Sequence, residues 1–236
     1  MKKALLPVNL LMLAAILASD ICYMTFGGLA VKAVTSILFV LTGLINLTYC
    51  VRSKARLRFP VWMAAALTAA MLGDVLLGIN FYLGTAVFAL GHIFYFVSYC
   101  MLVPLNRRDL VCGIAIFAAA LSIILFVPVL DFGGGLMQGV CGGYAFIISF
   151  MVGKAVSNLL GQRNVLYGIL AAGSVLFFLS DLMLVLDRFG SLPYTGTLCL
   201  STYYPAQFLL AFSILSFANT GRSGAKAAEA GETRQK

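Results

Sequence analysis

Two aspartates stand inside long apolar runs of this 236-residue chain, in closely matched phrases: Leu72-Gly73-Asp74-Val75-Leu76-Leu77 and Leu179-Ser180-Asp181-Leu182-Met183-Leu184. A carboxylate at bilayer depth costs roughly 3 kcal/mol or more, so such residues are kept for a partner or a task. Two carboxyls sharing one pocket supply the parts of acid–base chemistry, one protonated to donate and one ionised to accept a proton or steady a cation. Other polar side chains fall in the same kind of run. His92, Tyr95 and Tyr99 are spaced i, i+3 and i+7, on one helical face. Tyr203 and Gln207 are four apart and share a face, with Tyr204 beside them. Asp20 and Lys32 reach the same level of the membrane from the first two apolar runs.

The elements that must position these groups follow from composition. The chain is 62% hydrophobic and 10% charged, with mean hydropathy +1.02. A soluble domain of this size would need a charged surface, with about 25% charged residues as the norm, that this sequence lacks. Eight apolar segments of spanning length are marked at about Leu5–Tyr23, Val31–Val51, Pro60–Gly78, Leu83–Val103, Leu110–Leu130, Leu136–Val156, Val165–Leu186 and Leu198–Phe217. Period-2 alternation is missing from the longer runs, which argues against a barrel. The expected fold is an all-α integral membrane protein, a bundle of eight transmembrane helices over residues 1–218. The tail 219–236 is expected to be disordered.

Charge gives the orientation. Of the 16 Lys and Arg, only Lys32 and Arg188 fall on one side of the expected bundle. The others cluster at the N-terminus, in the connections after the second, fourth and sixth segments (Lys154 and Arg163 flanking the last), and in the tail. The positive-inside rule then places both termini in the cytoplasm, and basic loops with small size suit a bacterial inner membrane. The net charge of +8 is accounted for by topology and lipid headgroups, and no nucleic-acid partner is expected. Asp74 and Asp181 then lie in the outer half of the membrane. Asp20, Asp131, Asp187 and Arg188 are placed at helix ends or loops, in water.

Several chemistries lack their residues. Six cysteines occur singly without a C-x-x-C pair, so neither a zinc site nor a disulfide framework is indicated; no metal or other cofactor is expected. Gly-rich phosphate loops and G-x-S-x-G elbows are absent. Gly135, Gly139 and Gly143 recur every four residues, a spacing that suggests close helix contact rather than chemistry. The phrase Gly-Asp74 followed by Gly91-His92, and Ser-Asp181 followed by Tyr203-Tyr204, suggests a parallel duplication of four helices plus four.

Leu-Gly-Asp74-Val-Leu-Leu, Leu-Gly-His92-Ile-Phe-Tyr95, Phe-Leu-Ser-Asp181-Leu-Met-Leu and Thr-Tyr203-Tyr204-Pro-Ala-Gln207, in that order, resemble the YhhN/TMEM86 family, the lysoplasmalogenases. The resemblance runs from the second segment to the eighth. The family's Lys-Pro-Leu at the start of the second helix stands here as Lys32-Ala33-Val34, keeping the lysine and losing the proline. The resemblance implies hydrolysis of the vinyl ether bond of a lysoplasmalogen to a fatty aldehyde and a glycerophospho-headgroup, with a lysophospholipid as substrate. Asp74, Asp181 and His92 would be catalytic. Apolar neighbours favour Asp181 as the acid and Asp74 as the base, an assignment left open. Lys32, Tyr95, Tyr203, Tyr204 and Gln207 would bind substrate, Lys32 at the phosphate. A proton-coupled transporter or channel using the same carboxylates is the alternative, and a non-catalytic lipid-binding subunit a third reading.

Overall fold

A computed structural model describes the backbone of residues 2–190 and 192–232 and the side chains of residues 5–190 and 192–220. Most of the tail expected to be disordered, 219–236, lies outside the residues whose side chains are described. Among the described residues the elements are helices: α1 (Lys2–Phe26), α2 (Leu29–Arg52), α3 (Arg58–Leu77), α4 (Phe81–Leu102), α5 (Arg107–Phe126), α6 (Gly135–Gln162), α7 (Val165–Phe189) and α8 (Thr195–Glu232). All eight are long and apolar enough to cross a membrane. Each satisfies its own backbone, as lipid requires.

The helix ends explain themselves chemically. Asn80, Asn106 and Asn164 cap α4, α5 and α7, each side-chain oxygen accepting from a backbone N–H of the first turn. At α5 the cap is reciprocal, because Asp109 accepts from the Asn106 backbone N–H. Between α1 and α2 the chain turns on Gly27 and Gly28, at φ 68° and 93°. A side chain would be strained at either position. The turn is so short that α2 starts at Leu29 and Lys32 sits in its opening turns, with its N–H on the Gly28 carbonyl.

The helices pack foremost as the hairpins α3–α4, α7–α8 and α5–α6. Helix α8 touches α1, α2, α3 and α7, and α6 bridges α4, α5 and α7. The main core runs from Phe39 and Tyr49 of α2 through Met63 and Leu67 of α3 to Leu210 and Ile214 of α8. Polar cross-links pin the bundle. Asn9 and Asn46 exchange amide hydrogen bonds at 3.0 and 2.8 Å, and Asn46 also donates to the Ala211 carbonyl. Tyr99 and Ser174 join α4 to α7 through their hydroxyls at 2.8 Å.

Three expectations are corrected. Helix α6 runs on to Gln162, well past Val156, so Lys154 does not flank the connection to α7 but stands about two turns inside the helix. It is fully buried, its Nζ donating to Asp109 Oδ2 at 2.7 Å and to the Pro104 carbonyl at 3.0 Å. Asp20 is buried at 3% exposure, because α1 continues six residues beyond it and Ser19 bonds Thr35 of α2 at 2.7 Å. The glycines Gly135, Gly139 and Gly143 face open space. The close approach along α6 is at Gly153, where an added Cβ would lie 2.5 Å from the backbone N of Gly113 in α5.

Candidate functional site

At the end of the bundle remote from Arg56 and Arg108, the end of α3, the start of α2 and the first turns of α8 surround a cavity of about 160 Å³. Asp74 and Asp181 both line it, with Lys32 and Tyr203. Exposed Asp187 stands on its rim, held by the Thr195 hydroxyl at 3.1 Å.

Asp74 is 2% exposed and surrounded by donors. The Ser36 hydroxyl donates to Oδ2 at 2.6 Å and the Tyr203 hydroxyl to the same atom at 2.8 Å. Lys32 Nζ lies 3.6 Å from Oδ1. Two hydroxyls and a cation are the company an ionised carboxylate needs when water is removed. Gly73 makes room for this arrangement. A Cβ there would strike the Phe88 ring, which packs against Tyr203 and Phe177 with centroids 6.1 and 6.3 Å away.

Asp181 has a different set. The Tyr144 hydroxyl of α6 donates to Oδ2 at 2.6 Å, and His92 Nε2 is 2.7 Å from that same hydroxyl oxygen. His92 Nε2 and Asp181 Oδ2 are 3.4 Å apart. A phenol has one proton. Since it goes to Asp181, His92 must carry hydrogen on Nε2 and donate to the Tyr144 oxygen. His92 Nδ1 is buried without a hydrogen-bond partner among the described residues. Ser180 makes only a long 3.5 Å contact to Asp181 Oδ1. Phe177 stands between the two carboxylate clusters, its ring 4.7 Å from His92 and 5.3 Å from Tyr203.

Of the residues singled out from sequence, Asp74, Asp181, Lys32 and Tyr203 come together on the cavity wall. His92 reaches Asp181 from behind, through Tyr144. Tyr95, Tyr204 and Gln207 are fully buried and not on that wall; Tyr95 spends its hydroxyl on Gln207 Oε1 at 2.8 Å. Lys32 faces Asp74 rather than standing alone. Ser36 was not singled out and Tyr144 was left unassigned, since a lone hydroxyl in an apolar helix gives little signal until the neighbouring helix is known.

Fold and pocket define a multi-pass integral membrane protein with paired carboxyls in one cavity near an end of its bundle. The chain belongs to the YhhN family, whose model matches residues 27–214. It is similar to lysoplasmalogenase TMEM86A of Homo sapiens, 34% identical over 134 residues, covering 55% of this chain and 53% of the relative. It is also similar to lysoplasmalogenase TMEM86B of Mus musculus, 32% identical over 157 residues, covering 65% of this chain and 63% of the relative. The similarity thus spans less than two thirds of these relatives' length. No solved structure matches the chain.

Proposed function

We propose that the protein is a lysoplasmalogenase, a membrane hydrolase that cleaves the vinyl ether of an alkenyl glycerophospholipid to a fatty aldehyde and a glycerophospho-headgroup. The supporting observation is that Asp74 and Asp181 line one cavity with unlike partners. Relatives named lysoplasmalogenase favour this reading over a transporter.

Vinyl ethers resist base and yield to proton transfer onto the β-carbon. Asp181 supplies that proton from Oδ1, its other oxygen being occupied by Tyr144. The double bond's electron pair takes the proton, leaving an oxocarbenium ion at the α-carbon. Asp74, with the Ser36 and Tyr203 hydroxyls on Oδ2 and Lys32 beside Oδ1, steadies that cation and draws a proton from the attacking water. The resulting hemiacetal collapses to aldehyde and alcohol, with the proton on Asp74 returned through cavity water to Asp181, so the sum is addition of one water. His92 and Tyr144 position Asp181. Tyr204 packs edge-on against Tyr203, ring centroids 5.0 Å apart, and Tyr95 holds Gln207 on the same helix. Lys32 serves both Asp74 and the headgroup phosphate.

The positive-inside pattern supports a topology with both termini in the cytoplasm and the pocket toward the opposite face, as in a bacterial inner membrane. The hairpins α3–α4 and α7–α8, each bearing one carboxylate, support a parallel duplication of four helices plus four. The test is release of aldehyde from a lysoplasmalogen by the purified protein in detergent, alongside Asp74→Asn and Asp181→Asn. Aldehyde from the wild type and at least about a hundredfold loss in each folded variant supports the mechanism. Substantial turnover in either variant removes that residue from it, and none from the wild type refutes the activity.

A further inference from the structure

Next to the polar cavity lies a second cleft, of about 70 Å³ and almost wholly apolar. Leu77 of α3 and Phe88 of α4 line it together with Ile124 of α5, Ala145 of α6 and Phe178 of α7. Asp181, Leu77, Phe88 and Leu184 line both spaces, so the cleft and the polar cavity meet at the Asp181 carboxyl. Tyr144 is on the cleft side of that carboxyl.

The cleft follows from how α5 is held. Ala120, Ile124, Cys141 and Ala145 make a small apolar cluster of their own, separate from the main core. Helix α5 packs on α6 and, among the described residues, has no comparable packing with α3 or α4. Two apolar bodies therefore face each other across a gap bounded by α4 and α5. Alanines and a cysteine on one side of that gap leave it unfilled.

We propose that this cleft is the binding site for the hydrocarbon chain of the lipid, which enters sideways from the bilayer between α4 and α5. The proposal rests on the vinyl ether reading and adds to it where the chain lies. A lysoplasmalogen has one apolar chain and one polar headgroup, and the vinyl ether is the boundary between them. The two spaces have the same division, apolar and polar, with a carboxyl at their junction. Chain in the cleft and headgroup beside Lys32 put the β-carbon at Asp181. A chain and a headgroup exchanged between the spaces would bury the phosphate beside Ile124, Ala145 and Phe178 with no Lys or Arg on the cleft wall to meet it, at the cost of an unpaired charge.

Filling the cleft tests this. Ala120 and Ala145 are buried on its α5–α6 wall and take no part in the chemistry. In Ala145→Phe and Ala120→Phe, aldehyde release is followed from substrates with octenyl and octadecenyl chains. The ratio of kcat/KM for the long chain over the short one should fall about tenfold or more, since methylenes that lose their place in a pocket forfeit that much. Folded variants with the wild-type ratio overturn the proposal. A second measurement covers a variant that does not fold and a wild type that releases no aldehyde. Full-length wild-type protein is photolabelled with lysophosphatidylethanolamine carrying a diazirine at the end of its acyl chain. Label in residues 107–148, competed by unlabelled lipid, supports the cleft, and label confined to other helices overturns it. Absence of aldehyde together with label in 107–148 refutes the reaction while leaving the cleft standing.

Discussion

The Tyr203 hydroxyl crosses from α8 to donate to Asp74 Oδ2 on α3, at 2.8 Å. The reverse crossing joins the same two hairpins, with His92 of α4 lying 3.4 Å from Asp181 of α7. Each carboxylate is thus attended by a side chain of the other hairpin, and neither half contains a complete site. Such an exchange makes the site a reporter of hairpin packing: shifting α3–α4 against α7–α8 disturbs both carboxyls together.

Tyr203→Phe separates the hydroxyl from the ring. The ring remains to pack on Phe39 and Phe177, with centroids 6.2 and 5.3 Å away, so the fold should hold. What is lost is one hydrogen bond to a carboxylate, worth about 1.5–3 kcal/mol, or about tenfold to a hundredfold in rate if Asp74 acts in the transition state. The loss should appear in kcat with KM little changed. Unchanged kcat would show that the hydroxyl does not serve Asp74 during turnover.

Tyr144 links His92 to Asp181 through a single phenol oxygen, so the three should behave as one unit. Tyr144→Phe and His92→Gln are each expected to slow aldehyde release by about a hundredfold, the lower end of an acid–base contribution. The double variant should be scarcely worse than the slower single, because groups acting together are not additive. Measured kcat values that multiply would separate His92 from the Asp181 pair and assign it an independent task.

Lys32 is claimed by two anions, the Asp74 carboxylate 3.6 Å away and the incoming phosphate. Lys32→Met tells them apart through substrate choice. If the lysine receives the phosphate, kcat/KM should fall by about tenfold more for a lysoplasmalogen than for an alkenylglycerol lacking phosphate, the scale of one charge-assisted contact. An equal loss on both substrates would confine Lys32 to Asp74.

What could be read from the residues alone was whatever lipid makes expensive. Asp74, Asp181 and His92 stood out because polar side chains in apolar runs carry a cost, and the eight helices because their lengths match a bilayer. Helix ends were misjudged where polar residues stay inside. The hydropathy of α6 fades after Val156, yet Ser157 and Asn158 are buried and the helix continues to Gln162. Ser36 went unseen and Tyr144 was given no role for the opposite reason, since a lone hydroxyl costs little in a helix. Their roles depend on α2 lying against α3 and α6 against α4 and α7, neighbour relations that no periodicity records. The glycine spacing of α6 pointed to its open face, whereas the tight crossing is made by Gly113 and Gly153.

The Lys154–Asp109 pair yields a prediction about stability rather than chemistry. Lys154 is fully buried and Asp109 nearly so, and the aspartate also closes the cap of α5. Lys154→Met should leave Asp109 charged and unmatched, a loss of about 3–5 kcal/mol for a broken buried pair. Thermal unfolding in detergent should show this as a markedly lower Tm. Adding Asp109→Asn to that variant removes the stranded charge while keeping an oxygen for the Asn106 backbone N–H, so stability should partly return. Because Lys154 lies in the last third of α6, far from Tyr144 along the helix, the rescued protein should keep the Tyr144–Asp181 geometry and its turnover. A double variant as unstable as the single would mean that Lys154 contributes chiefly through its bond to the Pro104 carbonyl, holding the α4–α5 connection instead of neutralising Asp109.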